Sequence, residues 1–181
     1  MCPPNHFALV VYIPDLLGRF LDDLRLSLAP DCDPRAHISV LPPRPLAAPW
    51  REIAAGLADM AAEVAPFEIE ATRIRVFAPT DVVYIDVGAG AGQLHRLHDA
   101  MGNGALAFSE PFSYHAHITV AQEIGAQRVA EVCRTAERAW RAYPGPRRFR
   151  AEKLMFVQLN PEGRWVDLAE LALMAAPVAS R

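Results

Sequence analysis

Two four-residue words, His37-Ile38-Ser39-Val40 and His117-Ile118-Thr119-Val120, constrain this chain more than any other feature. Successive side chains on a strand point to opposite sides. His37 and Ser39 therefore share one face, as do His117 and Thr119, while Ile38, Val40, Ile118 and Val120 point into a core. A second word also recurs: Val10-Val11-Tyr12-Ile13 returns as Val82-Val83-Tyr84-Ile85. The His words are offset by 80 residues and the VVYI words by 72, and longer Gly-rich connections in the second half absorb the difference. Two strand words repeated in the same order imply a duplicated chain.

The intervening segments follow the same plan. Leu17, Phe20, Leu21, Leu24 and Leu28 form one helical stripe that starts near Asp15 and is stopped by Pro30 and Pro34. Ile53, Leu57, Met60, Ala61 and Val64 form a second; Leu94, Leu97 and Met101 a third; Val129, Val132, Cys133, Ala136 and Trp140 a fourth. Strands are expected over 7–13, 37–41, 67–77, 82–87 and 115–121. A closing hairpin pairs 153–159 with 164–171 around Asn160-Pro161-Glu162-Gly163. Gly88–Gly92 lacks the Lys-Ser/Thr ending of a phosphate loop and reads as a flexible connection. His95 and His98 read as solvent-side. The expected fold is α+β: one domain over 1–181, its two intertwined lobes covering about 1–81 and 82–171. Antiparallel sheets line a central cleft, with helices outside.

The 52% hydrophobic content of 181 residues can build a core, and a net charge of −3 gives no general attraction for polyanions. Phosphate recognition must then be local. Cys2, Cys32 and Cys133 show no CxxC spacing and read as reduced thiols, which suits the cytoplasm. No apolar run approaches the roughly 20 residues of a membrane span, so no membrane partner is expected.

Histidine is the side chain whose ordinary pKa lies near neutrality. Of two imidazoles, a neutral one can take a proton from a nucleophile and a protonated one can donate to a departing oxygen. Ser39 and Thr119 can donate to non-bridging phosphate oxygens. Such a site needs no metal. His115 and His117 make an HxH, half of a possible metal site, but no acidic or Cys ligand is convincingly placed beside them. The first repeat carries Arg35 at the matching position, so Arg35 and His115 are expected at the cleft rim. Tyr12 and Tyr84, equivalent in the repeat, either stack a base or pack within their strands. Arg44 is placed to reach phosphate from the rim. Arg147, Arg148 and Arg150 contact an RNA backbone or form a solvated sheet edge.

The two His-x-(Ser/Thr)-apolar motifs resemble the signature of the 2H phosphoesterase superfamily, whose members include 2′-5′ RNA ligases and RNA 2′,3′-cyclic phosphodiesterases. The lead-in Pro111-Phe112-Ser113-Tyr114 is also similar to that family. The resemblance implies a LigT-like bilobal fold with a central cleft. It implies His37 and His117 as the acid/base pair and Ser39 and Thr119 as phosphate-binding hydroxyls. Ser39 stands where Thr is commoner, and Ala36 and Ala116 where a proline often precedes the His. The implied substrate is an RNA end or a small cyclic-phosphate nucleotide, acted on without a cofactor by a monomer. The near symmetry of the two words does not tell acid from base, and the roles exchange between cleavage and its reverse; the reading favoured when water opens a cyclic phosphate has His37 as acid and His117 as base. Two other readings are a non-catalytic phosphate- or nucleotide-binding module and a metal-dependent hydrolase built on His115 and His117.

Overall fold

Alternating apolar positions become strands buried on one side, and the computed structural model describes them over residues 6–30, 32 and 35–175. Cys2 and Pro34 lie outside the described residues. Among the described residues eight strands are formed: β1 (Phe7–Tyr12), β2 (His37–Arg44), β3 (Phe67–Phe77), β4 (Val82–Val87), β5 (His117–Ala121), β6 (Arg148–Ala151), β7 (Lys153–Leu159) and β8 (Trp165–Ala172). Four α-helices intervene: α1 (Asp15–Leu28), α2 (Trp50–Ala62), α3 (Ala91–Met101) and α4 (Val129–Ala142). The strands form one eight-stranded sheet in the order β6-β3-β4-β5-β2-β1-β7-β8, with every neighbouring pair antiparallel. The fold is α+β, as the strand and helix words imply.

The order reads as a two-fold about the β5–β2 junction. β5 corresponds to β2, β4 to β1, and β3 to β7. β3 belongs to the first half of the chain yet lies beside β4 of the second. β7 belongs to the second half yet lies beside β1 of the first. Each half-sheet therefore mixes strands from both halves of the sequence.

All four helices contribute to a single core on one side of the sheet, where Leu9, Val11, Ile38, Val40, Ile85, Ile118 and Val120 are buried. The helices also cross between halves. α1 packs under β5 and α3 under β2. Arg25, buried on α1, donates to the Thr119 carbonyl, and His98 on α3 donates its Nδ1 proton to the Val40 carbonyl at 2.9 Å. The apolar stripes hold at Leu17, Leu21, Leu24 and Leu28, at Leu94, Leu97 and Met101, and at Val132, Ala136 and Trp140. On α2 the stripe is rotated slightly, so Ala54 is buried and Met60 is exposed.

Three expectations change. His98 is not solvent-side, because its bond to Val40 and its stack on Tyr114 (centroids 4.0 Å apart) hold it against the sheet. The segment around Gly88–Gly92 is not a flexible connection: Gly88 and Ala89 hydrogen-bond to Glu70, and Gly90 caps α3 with φ +88°. A Cβ at Gly90 would press into the Glu68 carbonyl, so glycine is required there. The VVYI words are also not structurally equivalent. Tyr12 stands opposite His37, but Tyr84 stands opposite Thr119, and the residue opposite His117 is Asp86. The shift is two residues, which keeps Tyr84 on the same face but changes its neighbours.

Candidate active site

The sheet face opposite the helices carries the polar residues of both His words. In both β2 and β5, Ile and Val are buried while His and Ser/Thr are half-exposed. The strands meet at the antiparallel pair Ile38–Ile118. Extending that register by one residue sets His37 beside Thr119 and Ser39 beside His117. The two imidazoles are then diagonal neighbours, a relation that spaces residues by about 7–8 Å, with Cβ atoms somewhat closer.

The two histidines are held alike. His37 Nδ1 lies 2.8 Å from the Arg35 carbonyl, and His117 Nδ1 lies 2.6 Å from the His115 carbonyl. A carbonyl only accepts, so each Nδ1 carries a proton and each Nε2 is left as the exchanging nitrogen. Burial lowers the His117 pKa from its ordinary 6.5, and the His115 charge adds to this. The backbone hydrogen bond and Asp86 act in the opposite direction. The burial is aromatic: the edges of His117 and His115 meet the rings of Phe77 and Tyr84, with centroids 5.0–5.5 Å apart.

The residues flanking the two histidines are also restrained. Arg35 donates to Asp167 Oδ2 at 2.8 Å and lies over the Tyr12 ring at 3.4 Å. Tyr12 donates its hydroxyl to Asp167 Oδ1 at 2.6 Å. On the other side His115 Nε2 lies 2.9 Å from Asp86 Oδ1, and Arg75 lies 3.4 Å from Asp86 Oδ2. Arg35 and His115 thus flank the pair on equivalent sides of the face.

Arg44 is elsewhere. It is 1% exposed, donates to the Pro42 and Leu106 carbonyls at 3.0 Å each, and pairs with Glu110. A guanidinium with these partners is a structural residue, not a rim ligand for phosphate. Tyr84 is 5% exposed and stacks on Phe77 at 3.9 Å, so it packs within the sheet and offers no free face to a base. Arg148 and Arg150 pair with Glu70 and Glu68 along the β6 edge, and Arg147 caps α4 through the Trp140 carbonyl.

Sequence reasoning missed the other members of this face: Phe77, Arg73, Arg75, Asp86 and Asp167. Arg75 stands opposite Tyr84 on β3; burial and Asp86 raise the Tyr84 phenol pKa, while Arg75 and Arg73 pull it down. Asp86 could have been found, because it lies two residues after Tyr84 and so shares its face. Tyr114, quoted above only for its motif, hydrogen-bonds the Ser39 carbonyl at 2.9 Å from beneath the strand. Among the described residues, no three His, Cys, Asp or Glu side chains converge as a metal site, and no helix is long and apolar enough to cross a membrane.

The two-fold antiparallel sheet with its four helices is the LigT-like α+β fold. Within that class the chain belongs to the 2′-5′ RNA ligase superfamily, whose family model matches residues 13–162. A Geobacillus kaustophilus protein named a putative phosphoesterase is 26% identical over 135 residues, covering 70% of this chain and 74% of that protein. The crystal structure of TT0787 from Thermus thermophilus matches with a TM-score of 0.63 at 17% identity, over 95% of this chain and 100% of that one. Escherichia coli LigT complexed with phosphate gives 0.63 at 14% identity, over 96% and 99%. Kluyveromyces marxianus Usb1 with uridine monophosphate gives 0.57 at 14% identity, over 94% and 99%. At such identities these structures speak for the fold. Superfamily membership places the chemistry in the phosphoesterase and RNA-ligase class.

Proposed function

We propose that His37 and His117 are the acid/base pair of a phosphoesterase that works without a metal and opens 2′,3′-cyclic phosphates or cleaves, and in reverse joins, 2′-5′ linkages in RNA or nucleotides. The observation that carries this reading is the matched clamp on both rings, since each carbonyl fixes its imidazole with Nε2 as the working nitrogen. In ring opening, neutral His117 takes a proton from water as the water oxygen bonds to phosphorus. Protonated His37 gives its Nε2 proton to the ribose oxygen as the P–O bond breaks. Ser39 and Thr119 donate to the non-bridging oxygens as their charge grows. The lowered pKa of His117 favours the neutral form that a base needs. The complexes of E. coli LigT with phosphate and with 3′-AMP are in keeping with a phosphate site on this fold.

The test is turnover of a nucleoside 2′,3′-cyclic phosphate by the whole chain, with product regiochemistry read by phosphorus NMR. His37→Ala and His117→Ala are each expected to lower kcat by about 100- to 10,000-fold with an unchanged circular dichroism spectrum. Unchanged turnover in either variant overturns the assignment. Tight nucleotide binding by the wild type without product would identify a binding module instead.

A further inference from the structure

The two site histidines share an orienting device that neither His word contains. Each Nδ1 proton is held by the carbonyl of the residue two before it, at position 35 or 115. Both carbonyls precede the first residue of their strands, β2 and β5. The direction of each carbonyl then depends on what restrains residues 35 and 115. In both cases a carboxylate restrains the side chain, and in both it uses its two oxygens. Asp167 receives Tyr12 on Oδ1 and Arg35 on Oδ2, with the guanidinium lying on the tyrosine ring. Asp86 receives His115 on Oδ1 and lies near Arg75 on Oδ2. An isolated exposed ion pair would hold little, but Asp167 is hydrogen-bonded on both oxygens, and Asp86 is hydrogen-bonded on one and within ion-pair range of Arg75 on the other.

We propose that Asp86 and Asp167 are positioning residues, Asp86 for His117 and Asp167 for His37, a role that rests on the acid/base reading of the pair. Each carboxylate orients the side chain of residue 115 or 35. That side chain sets its own carbonyl, and the carbonyl keeps the proton on Nδ1 and leaves Nε2 unprotonated in the neutral ring. The carboxylates come from unrelated places, β4 next to β5 on one side and β8 three strands from β2 on the other. The device is therefore the same on both sides, although the residues supplying it are not repeat partners.

The test reads ring nitrogens directly, by long-range proton–nitrogen correlation on the ¹⁵N-histidine-labelled whole chain. In the wild type, neutral His37 and His117 are both expected as the Nδ1–H tautomer. Asp86→Asn should move His117 toward the Nε2–H tautomer and leave His37 unchanged, and Asp167→Asn should do the reverse. If Asp167→Asn fails to fold, Tyr12→Phe removes one of its two bonds and should produce a smaller shift confined to His37. Each variant should lower kcat for a cyclic nucleotide about tenfold, the worth of one hydrogen bond, with KM little changed. Unmoved tautomers, or equal disturbance of both histidines by either variant, overturn the proposal. Selective tautomer shifts in a wild type that turns over no cyclic nucleotide would leave the positioning role standing and overturn the acid/base reading.

Discussion

Glu110→Ala should destabilise this protein far more than an ordinary surface substitution. Arg44 is 1% exposed, and Glu110 is the carboxylate that neutralises it. Removing one partner of a buried ion pair costs about 3–5 kcal/mol, because the remaining charge stays buried. Two features set the value at the low end. Arg44 keeps the Pro42 and Leu106 carbonyls, and the Glu110 side chain is 15% exposed. The expected loss is about 3 kcal/mol, which in a chain of this size lowers Tm by roughly 6–12 °C. Urea unfolding followed by circular dichroism measures it. Arg44→Met should cost less than Glu110→Ala, since Glu110 can turn toward water and methionine fills the site. Neither change should weaken inorganic phosphate binding. A loss below about 1 kcal/mol for Glu110→Ala would refute the buried pair. Weakened phosphate binding by Arg44→Met with stability intact would restore Arg44 as a rim ligand.

Because burial lowers the His117 pKa, its neutral form is favoured by the fold. That contribution to stability is complete above pH 6.5, the unfolded value, and is lost as pH falls through the folded pKa. Proton NMR should show His117 titrating below 6.5, with the low-pH limb of kcat at the same place; a titration above 6.5 contradicts the packing against Phe77 and Tyr84. Ser39→Ala should lower kcat about 100-fold while Ser39→Thr retains it, since only the hydroxyl is needed; equal losses would show that shape matters instead. Gly90→Ala should cost about 1–3 kcal/mol by urea unfolding, given φ +88° and the Glu68 carbonyl; a cost within error would contradict that close approach.

Much of this architecture could be read from periodicity alone. The leucine stripe of α1 and the Leu94, Leu97, Met101 stripe of α3 carry their own burial signal at 3.6-residue spacing, and the structure buries them. The His words carry theirs at spacing two. What could not be read depends on partners distant in sequence. Nothing near Arg44 announces Glu110, 66 residues on, so a buried cation looked like a free one. Nothing near Arg35 announces Asp167, 132 residues on. The VVYI identity misled for a different reason: a strand word fixes which face a tyrosine takes but not which rung of the ladder it occupies. The irregular registers in β1–β2 and β4–β5 set the rungs, and Tyr84 fell beside Thr119.

The exchange of outer strands has a consequence for how the chain is made. β1 and β2 are made well before β7, which covers the other edge of β1 and is encoded about 140 residues later. At about 5–20 residues per second, that edge waits roughly 7–28 s for its partner. Until β5 emerges His37 sits on a two-stranded fragment, and for the whole interval β1 keeps an exposed, apolar border of the kind that recruits other chains. Folding of the His37 side is thus deferred until β7 has been made, while β3, β4 and β5 can pair as soon as they emerge. Slowing elongation over the second half should therefore raise aggregation of this chain, and an early chaperone contact at β1 should relieve it.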